Sequence, residues 1–191
     1  MFPHFGILLL NGPSSAGKTT LAWELQINAP SYWYWLPLDY FLDAVPSQLW
    51  DSDESEGFSI AYNLYHDCIK LISDQGKDII VDTVMYSEDS FLSFVNKFAE
   101  YPVIMVKVIC PIEELNKRER ERGDRDTGLA ANQFKHMESQ TKYDLIVDTH
   151  AKSANECARS IIELLGNPEQ QFTSFMTLKI NPEKWMNLSI L

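Results

Sequence analysis

Residues 12–19 read Gly12-Pro13-Ser14-Ser15-Ala16-Gly17-Lys18-Thr19, an unbroken match to G-x-x-x-x-G-K-[ST]. The two glycines supply backbone angles that a residue with a Cβ resists, so the loop amides can turn inward around an anion. The helix expected to open near Lys18 adds its positive end. Lys18 is placed to reach the outer phosphates of a nucleoside triphosphate, and the Thr19 hydroxyl to bind Mg²⁺. The bland alternative is a glycine-bearing turn, and eight matching positions between a strand and a helix weigh against it.

Two aspartates follow apolar runs. Asp82 ends Asp78-Ile79-Ile80-Val81 and reads as a Walker B carboxylate that coordinates Mg²⁺, directly or through water. Asp39 follows Trp35-Leu36-Pro37-Leu38. If its strand neighbours the one before Asp82, its carboxylate faces the terminal phosphate and can accept the proton of an attacking hydroxyl. Each could instead be a turn former or helix N-cap, and Asp43 is a second candidate base.

A third constellation is basic. Lys117, Arg118, Arg120, Arg122 and Arg125 place five of the chain's sixteen lysines and arginines within nine positions. Arg118 and Arg122 share a helix face at i, i+4, where like charges cost roughly 0.2–0.5 kcal/mol unless an anion lies between them. Phosphate oxygens suit such arginine forks. The alternative is a solvated face laced by Glu114, Glu119 and Glu121. Gly123 and Gly128 bracket residues 124–127, which suggests a lid near residues 117–128 that closes over the nucleotide.

These groups need a scaffold. Short apolar runs at residues 5–10, 32–38, 78–82, 103–109 and 145–147 read as buried strands. Helical spacing or composition falls between them, at 18–28, 57–74, 87–99, 113–122, 129–141 and 153–165. Ser153 and Glu156 form a capping-box pattern, and Gly76 stands where a helix would stop. Strands alternating with helices predict an α/β fold with a five-stranded parallel sheet covered on both faces. Residues 167–191 break the alternation but hold Phe172, Phe175, Met176, Trp185 and Leu188. They read as an extension packing on the 1–166 domain or on a second copy.

Composition narrows the field. The chain has 191 residues, 45% hydrophobic, with formal net charge −11. That suits one domain with a real core. The acidic balance argues against nucleic acid and anionic membranes as partners. Cys68, Cys110 and Cys157 form no CxxC, and the four histidines form no metal pattern and read as ordinary surface or supporting residues. No signal or membrane segment is recognisable, so the expected location is the cytoplasm.

Together the motifs resemble the chloramphenicol phosphotransferase family of P-loop kinases. The carriers are residues 10–18, Leu38-Asp39-Tyr40-Phe41-Leu42-Asp43-Ala44-Val45-Pro46, Ile79-Ile80-Val81-Asp82, and Arg118-Glu119-Arg120-Glu121-Arg122-Gly123-Asp124-Arg125. Gly128-Leu129-Ala130-Ala131 with Gln133, Tyr143-Asp144 and Val147-Asp148-Thr149 follow. The resemblance implies the P-loop kinase fold and a kinase that uses ATP and Mg²⁺ to phosphorylate a hydroxyl of a small molecule. The aspartate matching Asp39 is the family's proposed general base, so Asp39, Lys18 and Arg125 are the expected catalytic residues. Gly12, Pro13, Ser14, Ser15, Ala16, Gly17, Lys18, Thr19, Thr20, Arg118 and Arg122 are expected to hold the nucleotide, and Thr19 and Asp82 the metal. The sequence departs from the family where Thr83, not a second acid, follows Asp82, and across residues 50–65. An aromatic acceptor pocket is expected around residues 32–35, Trp50 and Phe58. The alternatives are a nucleoside, nucleotide or sugar-nucleotide kinase, and a non-enzymatic nucleotide-binding module. A guanine-reading Asn-Lys-x-Asp run is absent from the sequence.

Overall fold

The computed structural model describes residues 6–85, 87–122, 128–137, 143–167 and 175. Five strands, β1 (Ile7–Asn11), β2 (Trp33–Pro37), β3 (Asp78–Thr83), β4 (Val103–Ile109) and β5 (Leu145–Asp148), form one sheet in the order β2-β3-β1-β4-β5. Every neighbouring pair is parallel. The described helices are α1 (Lys18–Asn28), α2 (Asp39–Asp43), α3 (Ser47–Ser52), α4 (Glu54–Asp74), α5 (Glu88–Lys97), α6 (Ile112–Arg122), α7 (Leu129–Met137) and α8 (Ala154–Leu165).

The unbroken apolar runs are explained by two cores, one on each sheet face. Leu8 and Leu10 of β1, Ile80 of β3 and Ile104, Val106 and Val108 of β4 pack with α1 and α8 through Leu21, Leu25, Cys157, Ile161 and Leu165. Ile7, Leu9, Ile79, Val81, Val103 and Met105 point the other way, onto Tyr65 and Ile69 of α4 and Phe91, Phe94 and Phe98. A strand with both faces covered has no polar side to show, which is why its sequence does not alternate.

Helix ends follow local chemistry. Ala29 leaves the helical region (φ −68°, ψ 148°) because Pro30 follows it. Ser153 and Glu156 complete a reciprocal capping box at α8. Gly76 takes a left-handed φ of +66° after α4. α4 starts three residues before the expected Gly57, because the Asp53 carboxylate accepts from the Glu56 amide. Gly57 then lies inside its first turn, where a Cβ would come within 2.8 Å of the Trp50 ring of α3. α2 and α3 were not foreseen, being too short to show a period.

Phe175 is buried and meets Phe94 edge-on with ring centroids 6.4 Å apart. Residues 168–174 and 176–191 of the proposed extension, and 123–127 of the proposed lid, lie outside the described residues. No described helix is long and apolar enough to cross a membrane.

Of the surface and supporting roles expected for the histidines, His66 does not take the surface one. It is buried among Tyr62, Tyr65, Phe94 and Phe98. Burial, then the nearby Lys97 ammonium, lower its pKa to about 4. The unfolded chain, with an imidazole near 6.5, therefore binds the extra proton first as pH falls. Stability contributed above pH 6.5 should be lost progressively down to pH 4, on the order of 2 kcal/mol by pH 5. Chemical denaturation of His66→Phe across that interval should show a shallower decline than the parent protein.

Candidate active site

All strands are parallel, so their carboxyl ends open on one side, where open α/β sheets bind ligands. β2 lies beside β3 with Pro37 opposite Asp82, and the Leu38 amide donates to the Asp82 carbonyl at 2.9 Å. This meets the condition set for Asp39, which begins α2 just beyond that bond and is exposed to the cleft. The Tyr65 hydroxyl braces the junction from below, facing the Leu36 carbonyl at 3.0 Å and that of Asp82 at 3.2 Å. Burial holds that phenol well above its usual pKa, so it remains a donor.

β1 delivers the chain to the loop. Gly12 fits because a Cβ would stand 2.4 Å from the Val108 carbonyl oxygen of β4. Ser15 (φ 62°) and Gly17 (φ +89°) take left-handed angles, the alternation that turns successive amides to one side. The Lys18 ammonium lies at the loop's centre, donating to the Gly12 and Pro13 carbonyls at 2.9 and 3.0 Å and standing 4.0 Å from Asp82 Oδ1. The Thr19 hydroxyl donates to Asp82 Oδ2 at 3.3 Å. Thr20 lines the exposed rim of the cleft.

Asp82 is buried, and burial raises its pKa; Lys18 opposes this and Asp39 adds to it. The Trp35 indole N–H lies near enough to favour the carboxylate, yet beyond a full hydrogen bond. Ser15 Oγ, Trp35 Nε1 and Thr83 Oγ1 are buried without a hydrogen-bond partner among the described residues, and all three residues line the same cleft. Its volume is about 1230 Å³. Such orphaned polar atoms beside an amide-lined loop fit a polar ligand. Thr19 and Asp82 offer two hard oxygens on adjacent elements. No cluster of three or more His, Cys, Asp or Glu able to hold a metal occurs among the described residues. That donor set suits Mg²⁺, which keeps waters and takes further oxygens from phosphates rather than from an all-protein cage.

Arg118 reaches the rear of the loop. Its Nη1 donates to the Ser15 carbonyl at 3.4 Å and to Thr149 Oγ1 at 3.3 Å, and Nη2 donates to the Thr149 carbonyl at 3.2 Å. Nε pairs with Glu114 at 2.9 Å, so Glu114 relieves the like-charge cost expected between Arg118 and Arg122. Thr149 in turn donates to the Ala16 carbonyl at 2.7 Å. Arg122 is exposed and lines the cleft one turn on. Arg125, expected to be catalytic, lies outside the described residues.

The expected aromatic pocket is redrawn. Tyr32 is 94% exposed, Trp33 is in the core, and Trp50 packs against Phe58 at 5.0 Å without lining the cleft. Trp35 and Phe58 do line it, joined by Trp23, Tyr40 and Tyr62. The bracing roles of Tyr65 and Thr149 escaped sequence reasoning, because each acts across a long separation; Thr149 stands in the Val147-Asp148-Thr149 run, but nothing in that run shows what its hydroxyl reaches.

This strand order and loop are the P-loop kinase fold. Solved structures with the same fold include the Deinococcus radiodurans tunicamycin resistance protein (TM-score 0.64, 16% identity, 84% of this chain and 95% of that one). The Mycobacterium tuberculosis APS kinase in complex with AMPPNP and APS (0.64, 16%, 87% and 100%) and the Acinetobacter baumannii shikimate kinase in complex with shikimate (0.60, 17%, 84% and 93%) also match. The chain belongs to the family described as chloramphenicol phosphotransferase-like protein, whose profile matches residues 6–166. A Mycobacterium tuberculosis relative named "Putative O-phosphotransferase" is 31% identical over 185 residues, covering 84% of this chain and 82% of the relative. Family and fold together support a phosphotransferase.

The close approach at Gly12 gives a direct test. Gly12→Ala should lower stability by roughly 1–3 kcal/mol, because the methyl meets backbone rather than a side chain that can move. An unchanged denaturation midpoint would show that β1 and β4 can part at no cost.

Proposed function

We propose that the protein is an ATP- and Mg²⁺-dependent kinase that transfers the γ-phosphoryl group to a hydroxyl of a small molecule. The observation that carries this reading is the meeting of the phosphate loop, Asp82 and Asp39 at one end of the sheet, with Asp39 just past the end of β2, the strand neighbouring β3.

The loop amides and the N-terminus of α1 bind and orient the phosphates. Lys18 neutralises charge on the outer phosphates. Thr19 and Asp82 would hold Mg²⁺, which supplies further neutralisation between the phosphate groups when bound. Asp39 accepts the proton of the acceptor hydroxyl as that oxygen forms its bond to the γ-phosphorus and the bond to the ADP oxygen breaks. Arg118 keeps the rear of the loop in shape, and Arg122 faces the same cleft.

The strand order divides the cleft. Lys18, Arg118 and Arg122 lie toward the loop and α6, whereas the β2–α2–α4 side presents Asp39, Asp43, Tyr40, Leu42, Phe58 and Tyr62. No lysine or arginine stands on that side among the described lining residues. An acceptor bearing phosphate, sulfate or carboxylate would find carboxylates there, which weighs against a nucleotide or sugar-nucleotide kinase. An uncharged alcohol with an apolar face fits better.

Asp39→Asn should abolish transfer while leaving ATP affinity near that of the parent, and Lys18→Ala should abolish nucleotide binding or turnover. A screen of ATP consumption over hydroxylated antibiotics, sugars and nucleosides, with product mass, tests the reading. One compound gaining a single phosphate supports it. Full turnover by Asp39→Asn would remove that carboxylate from the mechanism.

A further inference from the structure

The Ser14 amide is engaged by a side chain from a distant helix. Its N–H donates to Gln133 Oε1 of α7 at 2.8 Å, across 119 residues of sequence. Pro13 has no N–H, so Ser14 is the first residue after Gly12 whose amide can donate into the loop. We infer that Gln133 is a ligand of the transferred phosphoryl group, a role that rests on the kinase reading above.

The argument begins with donor and acceptor chemistry. A carboxamide's two ends are hard to tell apart by shape, but a backbone N–H can only donate, so Oε1 must face Ser14. Nε2, with two donors, then faces away from that amide. It has no hydrogen-bond partner among the described residues, and Gln133 lines the cleft. An unmet donor pair beside the outgoing arm of the loop suits the oxygens of a terminal phosphate.

The helix that carries Gln133 is held firmly enough for such a task. Glu119 of α6 is 2% exposed, and its two oxygens accept from the Gly128 amide at 2.7 Å and the Ala130 amide at 3.0 Å. These bonds satisfy the first turn of α7, and Gln133 lies about one turn further on. Arg118, next to Glu119, holds the rear of the same loop through Ser15. One helix thus fixes both the loop and the residue that reaches over it, as a preorganised ligand requires.

Gln133→Glu separates this role from simple packing. The carboxylate keeps the shape and still accepts from Ser14, but it replaces the Nε2 donors with negative charge. Affinities for ADP and for a non-hydrolysable ATP analogue, each with Mg²⁺, should be measured on the parent, Gln133→Glu and Gln133→Ala. Gln133→Glu should weaken the triphosphate by about tenfold or more while changing ADP by less than about twofold, and Gln133→Ala should show the same bias more weakly. If both nucleotides shift equally, or if Gln133→Ala binds the triphosphate as well as or better than the parent, Gln133 only plugs the Ser14 amide and the inference falls alone. If the parent binds neither nucleotide, the kinase reading falls with it.

Discussion

Lys18 and Asp82 are opposite charges held 4.0 Å apart at the floor of the cleft, each with a side chain less than a tenth exposed. Burying such a pair is costly unless its remaining hydrogen-bonding capacity is met, and a merely stable fold would do as well with apolar residues there. The surroundings meet that capacity one bond at a time. Two loop carbonyls accept from the ammonium, and Thr19 donates to the carboxylate. The parallel sheet supplies the geometry, because β1 and β3 are neighbours in register and their ends emerge side by side. The arrangement is a charge balance that a bound polyphosphate and its metal would complete.

The supports radiate from that point toward both edges of the sheet. On the β2 side, Tyr65 rises from α4 and ties two strand ends with a single hydroxyl. On the β5 side, Thr149 and Arg118 tie the back of the loop to the last strand and to α6. Asn11 does the same below, donating to the Tyr143 hydroxyl at 2.7 Å and accepting from the Met85 amide at 2.8 Å. Loops that carry binding groups are positioned by rigid neighbours of this kind. The loop's own sequence gives it shape, and these remote bonds fix its orientation.

The sequence showed best what depends on neighbours in the chain. The loop from Gly12 to Thr19 is a local backbone device, so its residue types announce it. The five strands were legible because burial on both faces leaves long apolar runs. Asp39 was legible only conditionally, since its meaning depended on β2 lying beside β3, a fact of sheet order. The bonds from Thr149 to Ala16, Gln133 to Ser14 and Arg118 to Ser15 span 133, 119 and 103 residues, and no periodicity encodes such distances. The aromatic wall was misdrawn for a related reason. Trp33 opens β2 and turns into the core while Tyr32, just before the strand, stays in water, and only the sheet's boundary decides which.

The chain's acidity is compatible with the anionic cosubstrate proposed for it, by distance and direction. Fixed amide dipoles and a buried ammonium act at hydrogen-bond range, where water and salt screen little, whereas the net charge of −11 is spread over the molecule and is damped beyond about 10 Å at moderate ionic strength. The local field can therefore welcome phosphate while the surface at large repels it. The same reasoning applies within the cleft. On the kinase reading proposed above, carboxylates on the β2 side would oppose an acceptor with its own negative charge and leave the basic side to the nucleotide. Selectivity between two substrates in one open cleft can thus arise from which edge of the sheet carries which sign.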